Sequence, residues 1–268
     1  MKTVLMTGAA GRIGSALRTG LADRYALRLL DRQVITELGP NESFVAADIA
    51  DIGAMEQAMK GVDAVIHMAA SVSPNGWDTM FEPNFIGTYN IFEAARRQGV
   101  TRVVYASSIH AHGFYRRDQK VGADTPPRPD SIYGVSKVFG EAIGRLYADK
   151  HGLEVVCLRI ASCLPRPTTA RHLATWLSHD DCVRLVAAAI EAKNVHFEVV
   201  YGVSRNTRQI YFDPNRLRIG YQPQDNAEDF AAEVLAQSPV EAEPEMDRTF
   251  HGAFYTSREF SGDLDQIS

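Results

Sequence analysis

The chain has 268 residues, 45% of them hydrophobic, and a formal net charge of −5 at pH 7. No basic run indicates nucleic acid or an anionic membrane surface as a partner, and no stretch approaches the ~20 apolar residues that span a bilayer. Glycines follow the first apolar run too soon for an export signal, so we expect a cytoplasmic protein. The three cysteines Cys157, Cys163 and Cys182 form no CxxC pair, and we expect them to be reduced, mostly buried thiols.

Short apolar strands alternate with helical patterns from residue 3 to about residue 160. The strand candidates are TVLMT (3–7), LRLLD (27–31), SFVAAD (43–48), DAVIHMA (63–69), RVVYAS (102–107) and EVVCLRI (154–160). The helix candidates run through Ile13, Leu17 and Leu21, near 53–60, through an apolar face of Ile86, Tyr89, Ile91 and Ala94, and over Tyr133–His151. This alternation predicts an α/β fold, a Rossmann-type doubly wound parallel sheet that helices cover on both faces.

The pattern loosens after about residue 160, where Pro165 and Pro167 interrupt it. We expect a helix near 179–192, a strand FEVVYGV (197–203), and a tail from 238 that is an irregular wrap or a mobile end. We therefore predict one domain over 1–268, with a dinucleotide-binding core to about 160 and a small C-terminal substrate-binding region from about 161.

The cluster Ser178-His179-Asp180-Asp181 has residue types that could hold a metal ion. Its S-x-x-D spacing before Val183, Leu185 and Val186 instead favours a helix N-cap with acids in the first turn. We predict no metal site.

The first strand leads directly into GAAGRIG (8–14), which contains Gly8, Gly11 and Gly14. Glycines in this context allow a tight turn and let backbone N–H groups approach a pyrophosphate at a helix N-terminus. Asp31 ends the second strand, where a carboxylate can accept both ribose hydroxyls of NAD and repel a 2′-phosphate. Arg32 could contact such a phosphate, but we favour NAD over NADP as the cofactor.

Two further residues are candidates for the adenine end of the cofactor. Asp48 and Ile49 follow the third strand and are placed to meet the adenine. Asp48 could instead be a turn or cap residue.

Tyr133 and Lys137 form a YxxxK pair, and on a helix residues four apart share one face. A phenol has a pKa near ~10, and an adjacent ammonium together with the positive nicotinamide of NAD favours the phenolate. Such a phenolate is a usable general base for the proton of an alcohol. Ser108 precedes the pair at the end of the fifth strand.

These features together resemble the short-chain dehydrogenase/reductase superfamily, in its extended branch. The stretches that carry the resemblance are GAAGRIG, DAVIHMAA (63–70), NFIGTYN (84–90), VVYASS (103–108) and YGVSK (133–137). The resemblance implies that Tyr133 is the catalytic base, that Lys137 is its partner on the nicotinamide ribose, and that Ser108 orients the substrate alcohol. It also implies cofactor contacts from Arg12, Ile13, Met68, Ala69, Ala70, Asn84 and Ile160.

Asn84 matches the helix asparagine that organises a proton-relay water in many members of the superfamily. Purely structural interpretations stay open. Asn84 could be a helix cap, and Ser107 and Ser108 could form hydrogen bonds at the end of the strand. The helices that carry Asn84 and Tyr133 usually form the dimer interface, so the resemblance implies a homo-oligomer.

The second half of the chain is similar to one family within this branch, the bacterial uronate dehydrogenases. The similar stretches are RPDSIYGVSKVFGE (128–141), RIASCLPRP (159–167), TWLSHDD (175–181) and GYQPQDNAEDF (220–230). The resemblance implies NAD-dependent oxidation of the anomeric carbon of cyclic glucuronate or galacturonate to an aldarolactone. Arg171 would bind the sugar carboxylate, with Ser71, Ser73, Ser162 and His110 as further substrate contacts. Arg171 could instead be a solvated surface arginine, and Ser162 could form a loop hydrogen bond.

The chain departs from that family at two positions in the expected pocket. Ile109 replaces an asparagine that contacts a sugar hydroxyl, and Val72 stands where the family has a serine, flanked by Ser71 and Ser73. A pocket that loses hydrogen bonds to hydroxyls should change its substrate preference. A neutral aldose dehydrogenase, a nucleotide-sugar epimerase or dehydratase, and a non-enzymatic cofactor-sensing protein stay open as alternatives.

The segment SSIHAHG (107–113) also suggests a Ser/His nucleophile pair or a metal site. The hydrolase reading fails because Ser108 belongs with Tyr133 and Lys137, and the HxH pair has no third ligand in an obvious place. We expect His110 to contact the substrate, or to be a packed or capping histidine, and His112 to be structural.

Overall fold

The computed structural model describes residues 1–72, 76–240 and 243–267. A seven-stranded parallel sheet forms its centre, with the strand order β10-β7-β5-β4-β1-β2-β3. In chain order the strands are β1 (Thr3–Thr7), β2 (Ala26–Asp31), β3 (Glu42–Ala46), β4 (Ala64–His67), β5 (Arg102–Ser108), β6 (Val121–Gly122), β7 (Glu154–Ile160), β8 (Ser162–Cys163), β9 (Trp176–Leu177), β10 (Phe197–Gly202) and β11 (Tyr211–Phe212).

Helices flank this sheet and build the C-terminal part of the chain. They are α1 (Arg12–Leu21), α2 (Ile52–Ala58), α3 (Trp77–Met80), α4 (Gly87–Gln98), α5 (Ile132–His151), α6 (His172–Thr175), α7 (His179–Glu191), α8 (Asn215–Arg218), α9 (Ala231–Gln237), α10 (Glu245–Thr249) and α11 (Phe254–Ser257). A π-helical stretch, Phe81–Ile86, joins α3 to α4, and a 3₁₀ turn, Ile109–His112, follows β5.

Two hydrophobic layers enclose the sheet. Alternate side chains of β1 enter opposite layers, with Val4 and Met6 in one and Leu5 in the other. Helices α1 and α7 cover the first layer, whereas α2, α4 and α5 cover the second. The predicted α/β fold, a Rossmann-type doubly wound parallel sheet, is therefore confirmed.

The expected apolar face of the third predicted helix is wrong in part. Ile91 and Ala94 of α4 are fully buried, but Ile86 and Tyr89 are 39% and 42% exposed. The expectation had placed all four on one face. Tyr89 and Ile91 are two residues apart on α4 and therefore point to opposite sides of the helix, so Ile91 and Ala94 face the sheet while Ile86 and Tyr89 point away from it.

The cap predicted before the seventh helix is confirmed. The hydroxyl of Ser178 accepts a hydrogen bond of 2.9 Å from the backbone N–H of Asp181, and α7 begins at His179. Asp180 and Asp181 occupy the first turn, where the helix dipole favours negative charge. Within the described residues, no group of three His, Cys, Asp or Glu side chains is placed to hold a metal ion.

The C-terminal part packs against the carboxyl edge of the sheet. Small parallel pairs β8–β9 and β6–β11 connect it to the core, and Phe250 and His251 of the tail are buried. The tail is thus a wrap rather than a free end over these residues. In the part of the chain that the structure describes, no helix combines the length and apolarity needed to cross a membrane.

Candidate active site at the carboxyl edge of the sheet

The glycine-rich turn after β1 brings backbone close to backbone. Gly8 has a φ of +71°, and a Cβ on it would lie 2.6 Å from the backbone nitrogen of Ala69. A Cβ on Gly14 would lie 2.2 Å from the carbonyl oxygen of Gly8. Gly11 is the N-cap of α1 and provides no side-chain cap, so the first N–H groups of the helix face the cavity side without a side-chain acceptor.

Asp31 ends β2 beside this turn. Its Oδ2 accepts a hydrogen bond of 3.0 Å from the N–H of Ala10, and its Oδ1 accepts one of 3.0 Å from Gln33. The carboxylate lines a cavity of about 650 Å³. Most of the predicted cofactor residues line the same cavity, namely Gly8, Gly11, Asp48, Ile49, Met68, Ala69 and Ala70.

Asp48 has the turn role that the sequence had left open, and its contact with the adenine stays a prediction. It lines the cavity, and its Oδ1 also accepts a turn hydrogen bond of 2.9 Å from Ala50. Arg32 is 75% exposed, and its Nη1 lies 3.5 Å from Asp48 Oδ2. The turn that a Cβ would fill and the carboxylate at the end of β2 fit a dinucleotide with free ribose hydroxyls.

A second cavity, of about 320 Å³, adjoins the first, and Met68 and Ala70 line both. It holds the predicted catalytic residues Ser108, Tyr133 and Lys137. It also holds Arg12, Ile13, His110, Ile160, Ser162 and Arg171 from the predicted binding residues. Side chains that are far apart in sequence therefore meet at the carboxyl ends of β4, β5 and β7.

Four predicted site residues remain, namely Ser71, Ser73, Gly14 and Asn84. Ser71 lines the first cavity, and its neighbour Val72 lines the second. Ser73 falls outside the described residues. Gly14 and Asn84 are not among the residues that line either of the two cavities.

Asn84 is buried in the π-helical stretch and connects two elements. Its Oδ1 accepts a hydrogen bond of 2.7 Å from the N–H of Ser71, and its Nδ2 donates one of 2.9 Å to the carbonyl of Ser71. The same Nδ2 donates to the hydroxyl of Ser136 on α5 at 3.1 Å. Asn84 therefore holds the loop after β4 against the helix that carries Tyr133.

Lys137 is buried and Tyr133 is half-buried, and loss of solvent shifts the pKa of each. Burial raises the pKa of Tyr133 well above its usual value, and the hydrogen bond from Ser108 partly opposes this rise. Burial lowers the pKa of Lys137 to about 7. The Nζ of Lys137 donates to the carbonyl of Ala106 at 2.8 Å and lies 5.4 Å from the centre of the Tyr133 ring. The chain alone therefore keeps the phenol protonated, and further positive charge is needed to form a phenolate.

His110 has a buried acidic partner, Asp130. The Nδ1 of His110 lies 2.6 Å from Oδ2 of Asp130. The other oxygen of Asp130, Oδ1, accepts a hydrogen bond from the hydroxyl of Ser131. Ser108 accepts from the backbone N–H of His110 at 3.3 Å, so its hydroxyl contacts the main chain of this histidine.

His112 is a core residue, which agrees with the structural role predicted for it. It is fully buried, and its two ring nitrogens contact the hydroxyl of Tyr201 at 2.7 Å and the carbonyl of Thr125 at 2.9 Å. Burial lowers its pKa to about 3, so it is neutral at physiological pH.

Arg171 offers an incompletely partnered cation to the second cavity. Its Nη1 donates to Ser162 at 3.1 Å, and its Nη2 donates to the carbonyl of His251 at 3.0 Å. Its Nε is buried without a hydrogen-bond partner. Among the described residues no carboxylate forms an ion pair with this guanidinium, so a carboxylate entering the cavity would find a donor set.

Ile109 shows how the pocket departs from the resembled family. Its side chain is buried in a small cluster with Val121, Tyr201 and Val203, and it also borders the second cavity. The aliphatic chain completes that cluster and offers no hydrogen bond to a sugar.

The sequence reasoning missed two residues of the site, Asp130 and Tyr255. Tyr255 lines the second cavity, with its ring centre 4.1 Å from that of His110. The stretch around it, FHGAFYTSREF (250–260), is rich in aromatic residues for a tail, and this aromatic content is the sequence feature that could have identified Tyr255. Asp130 lies just before the YxxxK helix, but nothing local indicates its pairing with His110.

Comparison with known proteins agrees with this geometry. The family model described as NAD dependent epimerase/dehydratase family matches residues 4–179. The chain is 40% identical to a uronate dehydrogenase of Pseudomonas putida over 91% of this chain and 92% of the relative. It is 39% identical to an NAD-dependent glucose-6-phosphate dehydrogenase of Haloferax volcanii, over 86% of this chain and 96% of that one.

Solved structures extend this similarity to the fold. A mutant uronate dehydrogenase from Agrobacterium tumefaciens complexed with NAD has a TM-score of 0.92 and 38% identity to the chain. The match covers 96% of this chain and 97% of that one. The structural similarity therefore extends over nearly the whole chain.

Proposed function

This chain belongs to the NAD dependent epimerase/dehydratase family, and we propose that it oxidises the anomeric C1 of a cyclic hexuronate with NAD to give an aldarolactone. The observation that carries the proposal is that Tyr133 and Arg171 line one cavity of about 320 Å³. One can take a proton and the other can bind a carboxylate. The similarity to uronate dehydrogenases over most of the chain supports the same substrate class.

The residues of the chain divide the work of binding and orientation. Arg171, assisted by Ser162, binds the sugar carboxylate through charge-assisted hydrogen bonds and fixes the ring in the cavity. Ser108 holds the C1 hydroxyl against Tyr133. The Nζ of Lys137 is positioned by the Ala106 carbonyl, so its remaining N–H groups can reach ribose hydroxyls.

Tyr133 accepts the proton of the C1 hydroxyl as general base. When bound, NAD supplies the acceptor for the hydride that leaves C1 and a positive charge at its nicotinamide. Burial raises the pKa of Tyr133 in the chain alone, so the positive charge of a bound nicotinamide would favour the phenolate. Loss of the hydride and the proton turns the ring C1 into an ester carbonyl, which makes the product a lactone.

The formation of NADH tests the proposal directly. The chain is incubated with NAD and with galacturonate, glucuronate, glucose 6-phosphate or a neutral aldose, and NADH absorbance is followed. We expect the two uronates to give the highest kcat/KM. Highest activity with the phosphate or the neutral sugar would contradict the substrate class, and a changed sugar without net NADH would favour an epimerase or dehydratase.

We also propose that the chain assembles as a homodimer through the helices that carry Asn84 and Tyr133. Exposed apolar side chains lie on both helices, among them Phe81, Tyr89, Ile132 and Val135. The Phe85 and Phe139 rings, 5.2 Å apart, join the two helices into one surface. Sedimentation of the wild type against Tyr89→Asp tests this, and a wild-type monomer would contradict it.

We further propose that the enzyme acts in the cytoplasm. Its three cysteines are free thiols, which suits a reducing compartment that also supplies NAD. Localisation of a tagged chain in its host tests this placement.

A further inference from the structure

We propose that Tyr255 restricts the substrate to a single sugar ring. Its side chain separates the catalytic cavity, the one of about 320 Å³ that holds Tyr133 and Arg171, from a neighbouring space that we call the second chamber. The inference rests on the proposed function and concerns what the same site excludes. A uronate that carries a second sugar or another bulky substituent would need the space that the Tyr255 ring fills.

The second chamber has a volume of about 470 Å³ and lies directly beside the catalytic tyrosine. Its lining includes Met80, Phe114, Ile132, Arg258 and Phe260. Tyr133 and Tyr255 line this chamber and the catalytic cavity alike. The two spaces therefore share a wall, and these two tyrosines are part of it.

The Tyr255 side chain is held on several sides. Its ring centre lies 4.1 Å from that of His110 and 5.8 Å from that of Tyr133. Its hydroxyl donates a hydrogen bond of 2.8 Å to the carbonyl of Val72, in the loop after β4. The Tyr255 side chain thus connects the tail to the loop after β4, which also lines the catalytic cavity at Val72, and the residue is only partly exposed.

The tail just before Tyr255 is fixed to the body of the protein. His251 donates its N–H to the carbonyl of Tyr115, and Gly252 donates to the carbonyl of Gly113, both at 2.9 Å. A Cβ on Gly252 would lie 1.9 Å from Oδ2 of Asp130, so only glycine lets the chain pass there. The wall is therefore built on an anchored segment.

The backbone at Ala253 adds a second sign that this position is specified. Ala253 has a φ of +49° and a ψ of −128°, a conformation that costs a residue with a side chain on the order of 1–3 kcal/mol. The surrounding hydrogen bonds hold it there, and the turn it makes starts the short helix that carries Tyr255. Such strain is kept where a side chain must be aimed at a site.

Of the two tyrosines in the wall, only Tyr255 is free of a direct role in proton transfer. Replacing its ring by a methyl group would join the two spaces while leaving Tyr133, Ser108 and Arg171 in place. We therefore expect Tyr255→Ala to accept uronates with a free C1 and a substituent on O2, O3 or O4, such as digalacturonate.

The test measures kcat/KM for galacturonate and for a panel of such substituted uronates, including digalacturonate, by NADH formation. In Tyr255→Ala the ratio of substituted to unsubstituted kcat/KM should rise by about tenfold or more for at least one substrate. Tyr255→Phe keeps the ring and should leave the ratio near the wild-type value. Phe254→Ala is the matched control, because it removes a neighbouring, exposed tail ring that lines neither space.

The outcomes separate the two proposals. A fluorescence titration with NAD shows whether the core of each variant is folded, and this measurement does not depend on activity. If the wild type oxidises galacturonate but Tyr255→Ala leaves the ratio of substituted to unsubstituted kcat/KM unchanged, the role of Tyr255 is overturned and the proposed function is not. An equal rise in Phe254→Ala overturns it too, since general loosening of the tail would then be the cause. No turnover of any uronate by the wild type overturns both the proposed function and this inference.

Discussion

The Nδ1 atom of His110 and the Oδ2 atom of Asp130 lie 2.6 Å apart, and the aspartate side chain is fully buried. A carboxylate only accepts hydrogen bonds, so the hydrogen between the two atoms is carried by Nδ1 of His110. Nε2 is then the ring nitrogen left to contact a ligand, and the ring lies in the wall of the catalytic cavity. Asp130 is thus a positioning residue that acts through His110.

Removing this partner should impair sugar binding. Asp130→Ala leaves the His110 ring free to rotate and to change tautomer, and we expect kcat/KM for the uronate to fall by about 10- to 100-fold. Asp130→Asn has the same shape and keeps an oxygen acceptor, so its loss should be smaller. Steady-state kinetics and NAD titration check both variants. An unchanged KM for the sugar in Asp130→Ala would show that the pair is only structural.

Tyr133→Phe removes the hydroxyl that takes the proton of the C1 hydroxyl. We expect kcat to fall by about 10²- to 10⁴-fold, the usual contribution of a general base. The phenylalanine ring fills the same space, so NAD affinity should stay within about twofold of the wild-type value. Single-turnover formation of NADH and isothermal titration with NAD measure the two effects. Substantial residual turnover would assign the base to another group.

Arg171→Ala should act on the charge of the substrate. Loss of the bidentate donor set removes charge-assisted hydrogen bonds worth about 1.5–3 kcal/mol each, so kcat/KM for a uronate should fall by about 10²-fold or more. A neutral aldose makes no such bonds, and its slower oxidation should change little. Comparison of the two substrates in wild type and variant gives the answer. Equal losses on both would mean that Arg171 supports the fold of the cavity.

The parts of the fold that were predictable are those in which local pattern and tertiary role coincide. Strands β1 and β7 begin and end where the sequence placed them, because continuous apolar runs suit strands buried on both faces. The predicted strand 43–48 ends at Ala46 instead, which leaves Asp48 in the loop beside the cavity. Strand ends depend on the hydrogen bonds of the neighbouring strand, and the local pattern does not contain these.

The site was predictable where a motif fixes the spacing, as for Tyr133 and Lys137. The wall formed by Tyr255 was not, because it depends on a tail segment that meets the loop after β4 and the helix α5 only in three dimensions. The exposure of Ile86 and Tyr89 has a different, local cause. Residues two apart on an α-helix point to opposite sides, so Tyr89 could not share the buried face of Ile91.

Asp31→Ala should weaken binding of NAD. The carboxylate orders the glycine turn through Ala10 and is placed to accept ribose hydroxyls, and loss of hydrogen bonds to a charged group costs about 1.5–3 kcal/mol. We expect KM for NAD to rise by about tenfold or more, with a smaller change for NADP, which the carboxylate repels. Initial rates with both cofactors provide the measurement. A loss that is equal for NAD and NADP would contradict the ribose contact.

Lys137 should make the stability of the cofactor-free chain depend on pH. Burial lowers its pKa to about 7, whereas a lysine in an unfolded chain titrates near ~10.4. Between these values the unfolded chain binds more protons than the folded one, so the free energy of unfolding rises with pH. Lys137→Met removes this contribution, which amounts to at most about 1.4 kcal/mol per pH unit. Urea unfolding of wild type and variant without NAD, between about pH 7.5 and 9.5, measures the difference in slope. Parallel slopes would mean that Lys137 keeps its proton in the folded chain, and its Nζ would then already supply positive charge to Tyr133 before the cofactor binds.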